Sequence, residues 1–514
     1  MLGYPLLWAT IIAPVILSLA ASGKKAENVR PVAYAIAASL LAPAAISAYY
    51  LARGLVGEGV VDPLVIDLKD AGLGEIILAI DGLSAPVVLG VSLVTALVAI
   101  YSLKYMEHRI GEMEAHGERP PGFRAYYFLY TLFAVSMLGI AYSVNFIAFY
   151  IFLEISLISS FLLILYYGYG DRRRIALLYF VWTHLGGAAM LAGALVYGFS
   201  SGTFNAAVLE AGRLVYTTFE EALGGLVMAA AILFILGMLV KMAVLGVHMW
   251  LPYAHAEAPT PISALLSPNL VGLGAYGLAR FGLSFFPSAF EDLSPLLLGL
   301  AIATIVYGGL VALQQNDFKR LLAYSSVSQM GYLLLGLATL TSYGIAGAML
   351  FYLSHAIGKA VLFMTAGVFI AELGGLRAIN LMGGLARLYP AIAASALIGF
   401  LHLAGIPPSF GFWGELMIVL GVAVNPGVSE AWRLIAVSLA LIVAFLVTAA
   451  YSFITMRRIF FGPPKASGGG EVVDEFKATV VTVAILGIMM FVVAGPLFSA
   501  AQASVEAMVS AYLR

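Results

Sequence analysis

Residues 228–247, MAAAILFILGMLVKMAVLGV, are apolar except for one charged residue, Lys241, and this stretch decides the class of fold. About 20 mostly apolar residues are enough to cross the hydrocarbon core of a bilayer as a helix. A charge at the centre of such a span costs roughly 2.5–3.5 kcal/mol on insertion scales. The stretch therefore predicts a transmembrane helix that carries an ionisable group in its interior.

Three further apolar stretches carry an ionisable residue in the same way. Glu154 lies in FIAFYIFLEISLISSFLLILYY, and Lys359 lies in AMLFYLSHAIGKAVLFMTAGVFI. Glu415 follows LIGFLHLAGIPPSFGFWG. Ionisable residues inside spans are costly and mark ion or proton pathways. We therefore expect these residues, together with Lys241, to move charge.

The composition of the whole chain also indicates a membrane protein. Its 514 residues are 62% hydrophobic and 10% charged, whereas soluble domains average about 25% charged residues. The net charge of −1 implies no nucleic-acid partner. The absence of cysteine excludes disulfides, thiolate zinc sites and cysteine-ligated iron–sulfur clusters. We expect no cofactor and no metal in this chain, and any redox centre in other chains.

Hydropathy predicts an all-α polytopic membrane protein with about 14 transmembrane spans. The first is interpreted as a retained span, because Lys24 and Lys25 follow it without a signal-peptide cleavage site. The twelfth is long and interrupted. The spans are predicted at 3–22, 31–52, 82–103, 125–142, 145–168, 175–199, 222–248, 262–285, 293–314, 321–340, 343–370, 390–424, 431–456 and 477–500.

Basic residues predict the orientation of these spans, since Lys and Arg concentrate in cytoplasmic loops. Loops after even-numbered spans are poor in Lys and Arg, and several are acidic. The alternation predicts external N- and C-termini in the cell membrane. The basic residues that follow odd-numbered spans are Lys24, Lys25, Arg30, Lys104, Arg109, Arg119, Arg124, Arg172, Arg173, Arg174, Lys319, Arg320, Arg377, Arg387, Arg457, Arg458 and Lys465.

Three segments between spans have predicted structures of their own. Residues 104–124 are polar and predict a cytoplasmic loop. Residues 204–221 have the pattern of an amphipathic helix on the outer surface. Residues 462–475 are rich in Gly and Pro and predict a mobile loop.

Two of the charged spans are predicted to be discontinuous. After Lys241, the prolines in 250–252 and 259–261 interrupt the helical hydrogen bonds. Glu415 follows a similar interruption at 405–408. Irregular backbone inside a membrane is tolerated only where it lies within protein or lines a water-filled cavity. The alternatives are a Lys241 that snorkels to the interface and a Glu415 that only caps a half-helix.

Histidines accompany the four charges. His355 and Lys359 are spaced i, i+4 and share a helix face, and His248 follows Lys241 on roughly the same face. We interpret His248 and His355 as candidate relay residues, with a packing role as the alternative. For Glu154, the alternative is a carboxylate that pairs with a lysine only to hold helices together. Weaker signals come from His184, His402, His255 and Glu257.

Several motifs resemble those of the antiporter-like subunits of respiratory complex I. They begin at Lys241 with KMAVLGVHMWLPYAHAEAPTPISALL and at Asp317 with DFKRLLAYSSVSQMGYLLLG. The runs LSHAIGKAVLFMTAG, AGIPPSFGFWGEL and IDGLSAPVVLGVSLV also match, as does the Glu154 segment. Within the family, a Glu after the break in helix 12 is typical of the M-type subunit of NADH:quinone oxidoreductase. Related subunits occur in membrane-bound hydrogenases and in multisubunit cation/proton antiporters.

The resemblance implies two inverted five-helix repeats, helices 4–8 and 9–13, with helices 7 and 12 discontinuous. The corresponding regions are 125–285 and 293–456, preceded by 1–124 and followed by 457–514. It assigns proton transfer to Glu154, Lys241 and Glu415, and it adds His355 and Lys359 to a connecting polar axis. The implied partners are other membrane subunits of a complex I-like or hydrogenase-like assembly, the bilayer, and protons or Na⁺.

One position departs from the family pattern. The family usually has a lysine in helix 8, but in LLSPNLVGLGAYGLARF the aligned residue is Gly272. Water across the gap, a relay through His248 and Lys359, and altered transport are the three explanations. The sequence therefore leaves three functions open: a proton-translocating subunit of a redox-driven complex, a subunit of a Na⁺/H⁺ antiporter, and a structural subunit whose polar axis no longer conducts.

Overall fold

Helices make up most of the computed structural model, which describes residues 6–23, 25–53, 59–210, 213–428, 430–465 and 471–512. Lys24, and residues 466–470 of the loop predicted at 462–475, lie outside the described residues. The helices are α1 (Leu6–Ser18), α2 (Ala26–Ala52), α3 (Ala85–Ala115), α4 (Phe123–Tyr142), α5 (Phe146–Tyr167), α6 (Arg172–Ser201), α7 (Val227–Met242), α8 (Trp250–Glu257), α9 (Thr260–Phe285), α10 (Pro287–Gln314), α11 (Phe318–Ala338), α12 (Ser342–Glu372), α13 (Leu385–Leu388), α14 (Pro390–Leu403), α15 (Gly411–Ala423), α16 (Ala431–Phe460), α17 (Glu475–Val492) and α18 (Ala494–Tyr512).

The helices confirm a multi-pass membrane protein. Among the described residues, 12 helices are long and apolar enough to cross a membrane, while α1, α14 and α15 are shorter apolar helices. The interruption predicted in the twelfth span is confirmed, because α14 and α15 are separate helices. The count of 14 spans, the two inverted repeats and the domain boundaries stay predictions.

The most deeply buried helices lie at the centre of the bundle. In α9 and α12, all residues of the 18-residue apolar segment that could cross the membrane are buried, and in α11 94% of this segment is buried. By contrast, only 22% of the corresponding segment of α16 is buried. Two segments of α9, Leu266–Leu270 and Leu278–Gly282, are π-helical. Such segments are rare in proteins, and those that occur often lie at functional sites.

Polar side chains cap the N-termini of several membrane helices. Asn145 Oδ1 accepts hydrogen bonds from the backbone N–H groups of Ile147 and Ala148 at the start of α5. Asp317 caps α11 through Arg320 N, and Thr341 caps α12 through Gly344 N. These oxygens satisfy donors that the first turn of a helix leaves without a partner.

Three small antiparallel sheets depart from the all-α prediction. They are β1 (Val60–Val61) with β4 (Ala79–Ile80), β2 (Ile66–Asp67) with β3 (Glu75–Ile76), and β5 (Ala207–Glu210) with β6 (Arg213–Tyr216). The amphipathic helix predicted over 204–221 is therefore wrong. In β5 and β6, Val208 is paired with Val215, and β-branched side chains favour such strands.

A buried ion pair ties these sheets to the bundle. Nη1 and Nη2 of Arg280 in α9 each donate to one carboxylate oxygen of Asp81 at 2.7 Å. Tyr216 Oη in β6 also donates to Asp81 Oδ2, at 2.7 Å. Burial raises the pKa of Asp81, but the Arg280 charge and the hydrogen bonds from Arg280, Tyr216 and Ser84 outweigh it, and the pKa falls to about 2. Asp81 thus stays ionised and holds α9, β6 and the segment before α3 together.

The loop predicted at 104–124 is also partly wrong. Helix α3 continues to Ala115, so Lys104 and Arg109 lie within it. Lys104 Nζ contacts Asp474 Oδ2 at 2.6 Å, and the Arg109 guanidinium Nε donates to Tyr167 O at 3.1 Å. Hydropathy ends the span at residue 103 because the next residues are polar, yet Glu, Met and Ala favour helix and extend it.

Candidate functional site

Lys241 lies in the last turn of the first half of a discontinuous span. Helix α7 ends at Met242, Ala243 has φ 54°, and the chain becomes helical again at Trp250. The side chain of Lys241 is only 4% exposed. Trp250 Nε1 donates to Val240 O at 3.0 Å, which satisfies a carbonyl that the break releases from the helix.

This geometry confirms the break after Lys241 and corrects its position. The sequence placed Lys241 mid-helix and the interruptions at the prolines of 250–252 and 259–261. The first break instead covers 243–249, which contain no proline, whereas the interruption predicted at 259–261 is found at 258–259, between α8 and α9. Pro252 belongs to the first turn of α8, where a missing N–H costs little.

Glu154 on α5 bonds with a histidine rather than directly with Lys241. His184 Nδ1 on α6 lies 3.1 Å from Glu154 Oε2, and among the described residues Lys241 makes no ion pair with Glu154. The His184 side chain is 48% exposed and that of Glu154 is 19% exposed. The pair therefore reaches the outer face of α5 and α6, and His184 has a role that its weak sequence signal did not indicate.

Two adjacent glycines let the three helices of this site approach one another. A Cβ at Gly186 of α6 would lie 2.6 Å from Val240 Cγ1, next to Lys241. A Cβ at Gly187 would lie 3.0 Å from Glu154 Oε1. Small residues at helix contacts permit such close packing in membranes. Gly186 and Gly187 thus hold α7 and α5 on either side of α6.

Lys359 and His355 on α12 form a second, fully buried site. Lys359 Nζ donates to Leu322 O at 2.7 Å and to Ser325 Oγ, both on α11. His355 Nε2 lies 3.1 Å from Ser267 O, in the first π-helical segment of α9. His355 and Lys359, which are spaced i, i+4, therefore lie on one face of α12, between α9 and α11.

Glu415 packs against the break between α14 and α15. It is 8% exposed, and its Oε1 has no hydrogen-bond partner among the described residues. A Cβ at Gly405, which has φ +61°, would lie 1.9 Å from Glu415 Oε2. Only glycine allows both this backbone conformation and this approach of the carboxylate. Glu415 is the fifth residue of α15, beyond its first turn, and the start of this helix has no side-chain cap.

Helix α11 carries a polar face that was not predicted from the sequence. Ser326 Oγ lies 2.5 Å from Ser267 Oγ on α9, and its neighbour Ser325 contacts Lys359. One turn further, Gln329 Nε2 donates to Leu403 O at 3.1 Å, at the break beside Glu415. The face therefore reaches from the Lys359 site to the Glu415 site. The i, i+4 spacing of Ser325 and Gln329 was the available signal.

The other histidines lie at the edges of these sites. His248, in the break after α7, makes edge-on ring contacts with Tyr307 on α10 and Tyr324 on α11. His402 Nδ1 lies 2.8 Å from Ser354 Oγ on α12. His255 is completely buried on α8. The backbone oxygen of Glu257 accepts a hydrogen bond from Tyr169 N at 2.8 Å, which is a structural contact.

Several buried polar atoms near these sites lack a protein partner among the described residues. Buried polar groups normally have a hydrogen-bond partner, which is ordered water where protein supplies none. The atoms without a protein partner include His248 Nδ1, His255 Nδ1 and Nε2, both amide atoms of Asn269, Gln329 Oε1, His355 Nδ1, Thr365 Oγ1, His402 Nε2 and Glu415 Oε1.

Gly272 lies in α9 where the family lysine is absent, and an aromatic ring fills that space. A Cβ on Gly272 would lie 2.5 Å from Cδ2 of Tyr352, which belongs to α12. Tyr352 Oη donates to Asn269 O at 3.1 Å, so the ring is held in place. A lysine at 272 would therefore require Tyr352 to move. The space of the family lysine is thus taken by the contact between Gly272 and Tyr352, and the unpaired side-chain amide of Asn269 lies one turn away.

No metal centre is apparent in the described part of the chain. It contains no group of three or more His, Cys, Asp and Glu side chains arranged to hold a metal ion. The candidate residues instead lie apart: Glu154 bonds His184, Lys241 and His248 lie at the break after α7, His355 and Lys359 share a face of α12, and Glu415 lies at the break before α15. Such a set is suited to exchanging protons between neighbouring groups.

Comparisons with known proteins identify the family of the chain. Residues 143–443 match the family described as NADH:quinone oxidoreductase/Mrp antiporter, TM. Residues 75–112 match the family described as NADH-Ubiquinone oxidoreductase (complex I), chain 5 N-terminus. The first match covers more than half of the chain and contains all six candidate residues.

Two curated relatives and one solved structure are similar over most of the chain. The NAD(P)H-quinone oxidoreductase chain 4 2 of Microcystis aeruginosa is 35% identical over 387 residues, which are 75% of this chain and 66% of that protein. The F(420)H(2) dehydrogenase subunit M of Methanosarcina mazei is 32% identical over 392 residues, 74% of this chain and 73% of that protein.

The solved structure is respiratory complex I from Thermus thermophilus with bound NADH. The chain aligns with one of its subunits at a TM-score of 0.78 and 27% identity, covering 98% of this chain and 99% of that one. The family matches, the relatives and this structure agree with the resemblance noted in the sequence motifs. The chain belongs to the NADH:quinone oxidoreductase/Mrp antiporter transmembrane family.

Proposed function

We propose that this chain is the M-type, proton-translocating, antiporter-like subunit of a complex I-type redox-driven membrane complex. The observation that carries the proposal is the polar face of α11, which joins buried Lys359 to the break beside Glu415. Isolated charges would serve helix packing alone. A series of polar groups about one helical turn apart on α11, between two buried ionisable residues, supports proton transfer.

In the first half, the Glu154 charge controls Lys241. An opposite charge nearby stabilises a protonated lysine, and this effect is strong in a site with little solvent. Because Glu154 bonds His184 at the surface of the subunit, a charge presented from outside acts on Lys241 through that pair. When Glu154 is neutralised or drawn away, Lys241 releases its proton towards the break at 243–249.

In the second half, Lys359 accepts the proton and α11 passes it on. Ser325 contacts Lys359, and Gln329 lies one turn closer to the Glu415 break. Glutamine does not itself carry a proton at neutral pH, so water bound by Gln329 Oε1 and Glu415 Oε1 completes the path. The unpaired atoms of His248 and Asn269 provide further water positions between the two halves. Glu415 then releases the proton on the far side.

The family also supports proposals for partners and location. The relatives are an NAD(P)H-quinone oxidoreductase chain and an F(420)H(2) dehydrogenase subunit, so other subunits would contain the redox centres. His184 and Glu154 face outward and are placed to contact a neighbouring membrane subunit. The distribution of basic loops supports the proposal that both termini lie on the external side of the cell membrane.

A Lys241→Ala variant tests the function. In proteoliposomes, the assembled complex is expected to lose proton pumping by this subunit, whereas Lys69→Ala, an exposed lysine paired with Glu75, should leave it unchanged. Undiminished pumping in Lys241→Ala would refute the assignment. Omitting Na⁺ separates proton transfer from Na⁺/H⁺ exchange, since the proposal requires pumping to persist without Na⁺. No pumping in the unmodified complex would instead indicate a structural subunit.

A further inference from the structure

A basic cavity lies at the C-terminal end of α16, away from the candidate proton path. Its volume is about 420 Å³, within the range of roughly 300–1,000 Å³ that is typical of ligand sites. The ten lining residues include three cations and no carboxylate. They are Ile379, Asn380, Met382, Gly383, Arg457, Arg458, Phe461, Gly462, Pro463 and Lys465.

The wall of this cavity is preformed by two segments that approach closely. Gly384 N donates to Phe461 O at 3.1 Å, and Lys465 Nζ donates to Asn380 O at 2.9 Å. Gly384 has φ +64°, and a Cβ there would lie 2.9 Å from the Pro464 backbone. Glycine therefore permits a fixed concave surface, which a loop that only carries charges for membrane orientation does not need.

The charges of this cavity are not neutralised within the described chain. Neither Arg457 nor Arg458 makes an ion pair with a described residue, and residues 466–470 are Ala, Ser and three Gly. Glu471, the next acidic residue along the chain, accepts hydrogen bonds from Ala391 N at 2.7 Å and Ile392 N at 3.3 Å. At the opposite end of α16, Arg433 pairs with Glu430 at 3.5 Å. The unpaired cations are thus specific to one end of the helix.

An exposed apolar stripe leads from the cavity along α16. Leu446, Phe453 and Ile454 are 64%, 40% and 46% exposed. They lie eleven, four and three residues before Arg457, and these spacings place them on its face of the helix. At about 1.5 Å per residue, the stripe extends about 16 Å from Arg457, roughly half of a hydrocarbon core. A basic cavity for a headgroup, continuous with an apolar stripe for an acyl chain, matches the shape of a phospholipid.

We propose that this cavity binds the phosphate headgroup of an anionic phospholipid, with an acyl chain along α16. Arg457 and Arg458 would bind the phosphate oxygens, because guanidinium groups match phosphate in geometry as well as charge. Lys465 closes the cavity as a third cation. Basic pockets beside membrane helices recognise anionic headgroups in this way.

Native mass spectrometry of the full-length chain in detergent tests the site. The probes are a phosphatidylglycerol, a phosphatidylcholine with the same acyl chains, and inorganic phosphate as competitor. Wild type is expected to retain one more phosphatidylglycerol than Arg457→Gln/Arg458→Gln, with binding weaker by about fivefold per arginine removed. Arg433→Gln, on the same helix, is the matched control and should bind as wild type does.

The outcomes separate the sources of phosphate. Equal retention of phosphatidylcholine, or equal binding by the double variant, overturns the proposal. Displacement by millimolar inorganic phosphate shows a free-phosphate site and also overturns it. If the double variant does not fold, Lys465→Gln in the loop carries the test: weaker phosphatidylglycerol binding supports the site, and unchanged binding contradicts it.

Discussion

The position of Glu415 depends on one glycine that has no charge and no hydrogen-bonding side chain. Gly405 combines φ +61° with direct contact to the Glu415 carboxylate. A methyl group there would meet the carboxylate at 1.9 Å, well inside van der Waals contact. The geometry of the proposed release site is therefore determined by backbone conformation as much as by the acid itself.

Gly405→Ala should displace Glu415 and reduce proton transport. Overpacking costs roughly 1–3 kcal/mol, and the left-handed backbone adds strain. The comparison is Gly299→Ala on α10, where an added Cβ meets no atom within 4 Å and the cost should stay within about 0.5 kcal/mol. Proton flux in proteoliposomes measures the effect. Equal flux in the two variants would show that the contact between Gly405 and Glu415 has no role in transport.

At the scale of elements, α11 connects the two buried sites of the second half. Ser325 contacts Lys359, Ser326 contacts Ser267 in the π-helical segment of α9, and Gln329 reaches the break after α14. Serines of transmembrane helices often bond only to their own backbone. Ser325 does so as well, through Leu322 O at 3.0 Å, and it contacts Lys359 at the same time.

Ser325→Ala should slow proton transfer at Lys359. Removing a hydrogen bond to a charged group costs roughly 1.5–3 kcal/mol, which corresponds to about a tenfold or greater loss of rate. Ser328→Ala on the same helix is the control, because Ser328 Oγ bonds Ile305 O on α10 and faces away from Lys359. Reconstituted flux distinguishes them. The proposed path through α11 fails if both alanine variants transport at the wild-type rate.

The sequence predicted the charged spans and the break before Glu415, because a charge in an apolar run and a Gly- and Pro-containing interruption are strong local signals. It placed the break after Lys241 at prolines, whereas that break lies at 243–249, which contain none. It did not predict that Glu154 bonds His184 or that Tyr352 fills the space beside Gly272. Those contacts join residues that are distant in sequence, and neither His184 nor Tyr352 stands out locally. The β5–β6 hairpin was also missed, since its strands have only four residues each.

At the scale of the molecule, the buried Asp81–Arg280 pair connects the small sheets with the completely buried helix α9. Because the pKa of Asp81 is lowered to about 2, the pair contributes stability above the unfolded carboxyl pKa of about 3.9. That contribution is lost only as the pH falls through about 2. The pair therefore persists throughout the neutral range in which the protein would transport protons.

Asp81→Asn should destabilise the whole chain. The change leaves Arg280 buried without its counter-charge, which costs roughly 3–5 kcal/mol. Asp70→Asn, at an exposed position, should cost no more than about 0.5 kcal/mol. Thermal unfolding in detergent at pH 7 measures both variants. A wild-type melting temperature for Asp81→Asn would show that the pair does not contribute to the stability of the bundle.

The central claim is that protons cross this subunit through the buried axis at Lys359. Its most direct test is the number of protons translocated per electron pair by the reconstituted parent complex with Lys359→Ala, at wild-type subunit content and without Na⁺. We expect fewer protons per electron pair than in wild type, with the Ser328→Ala complex unchanged. An unchanged ratio in a fully assembled Lys359→Ala complex would contradict it.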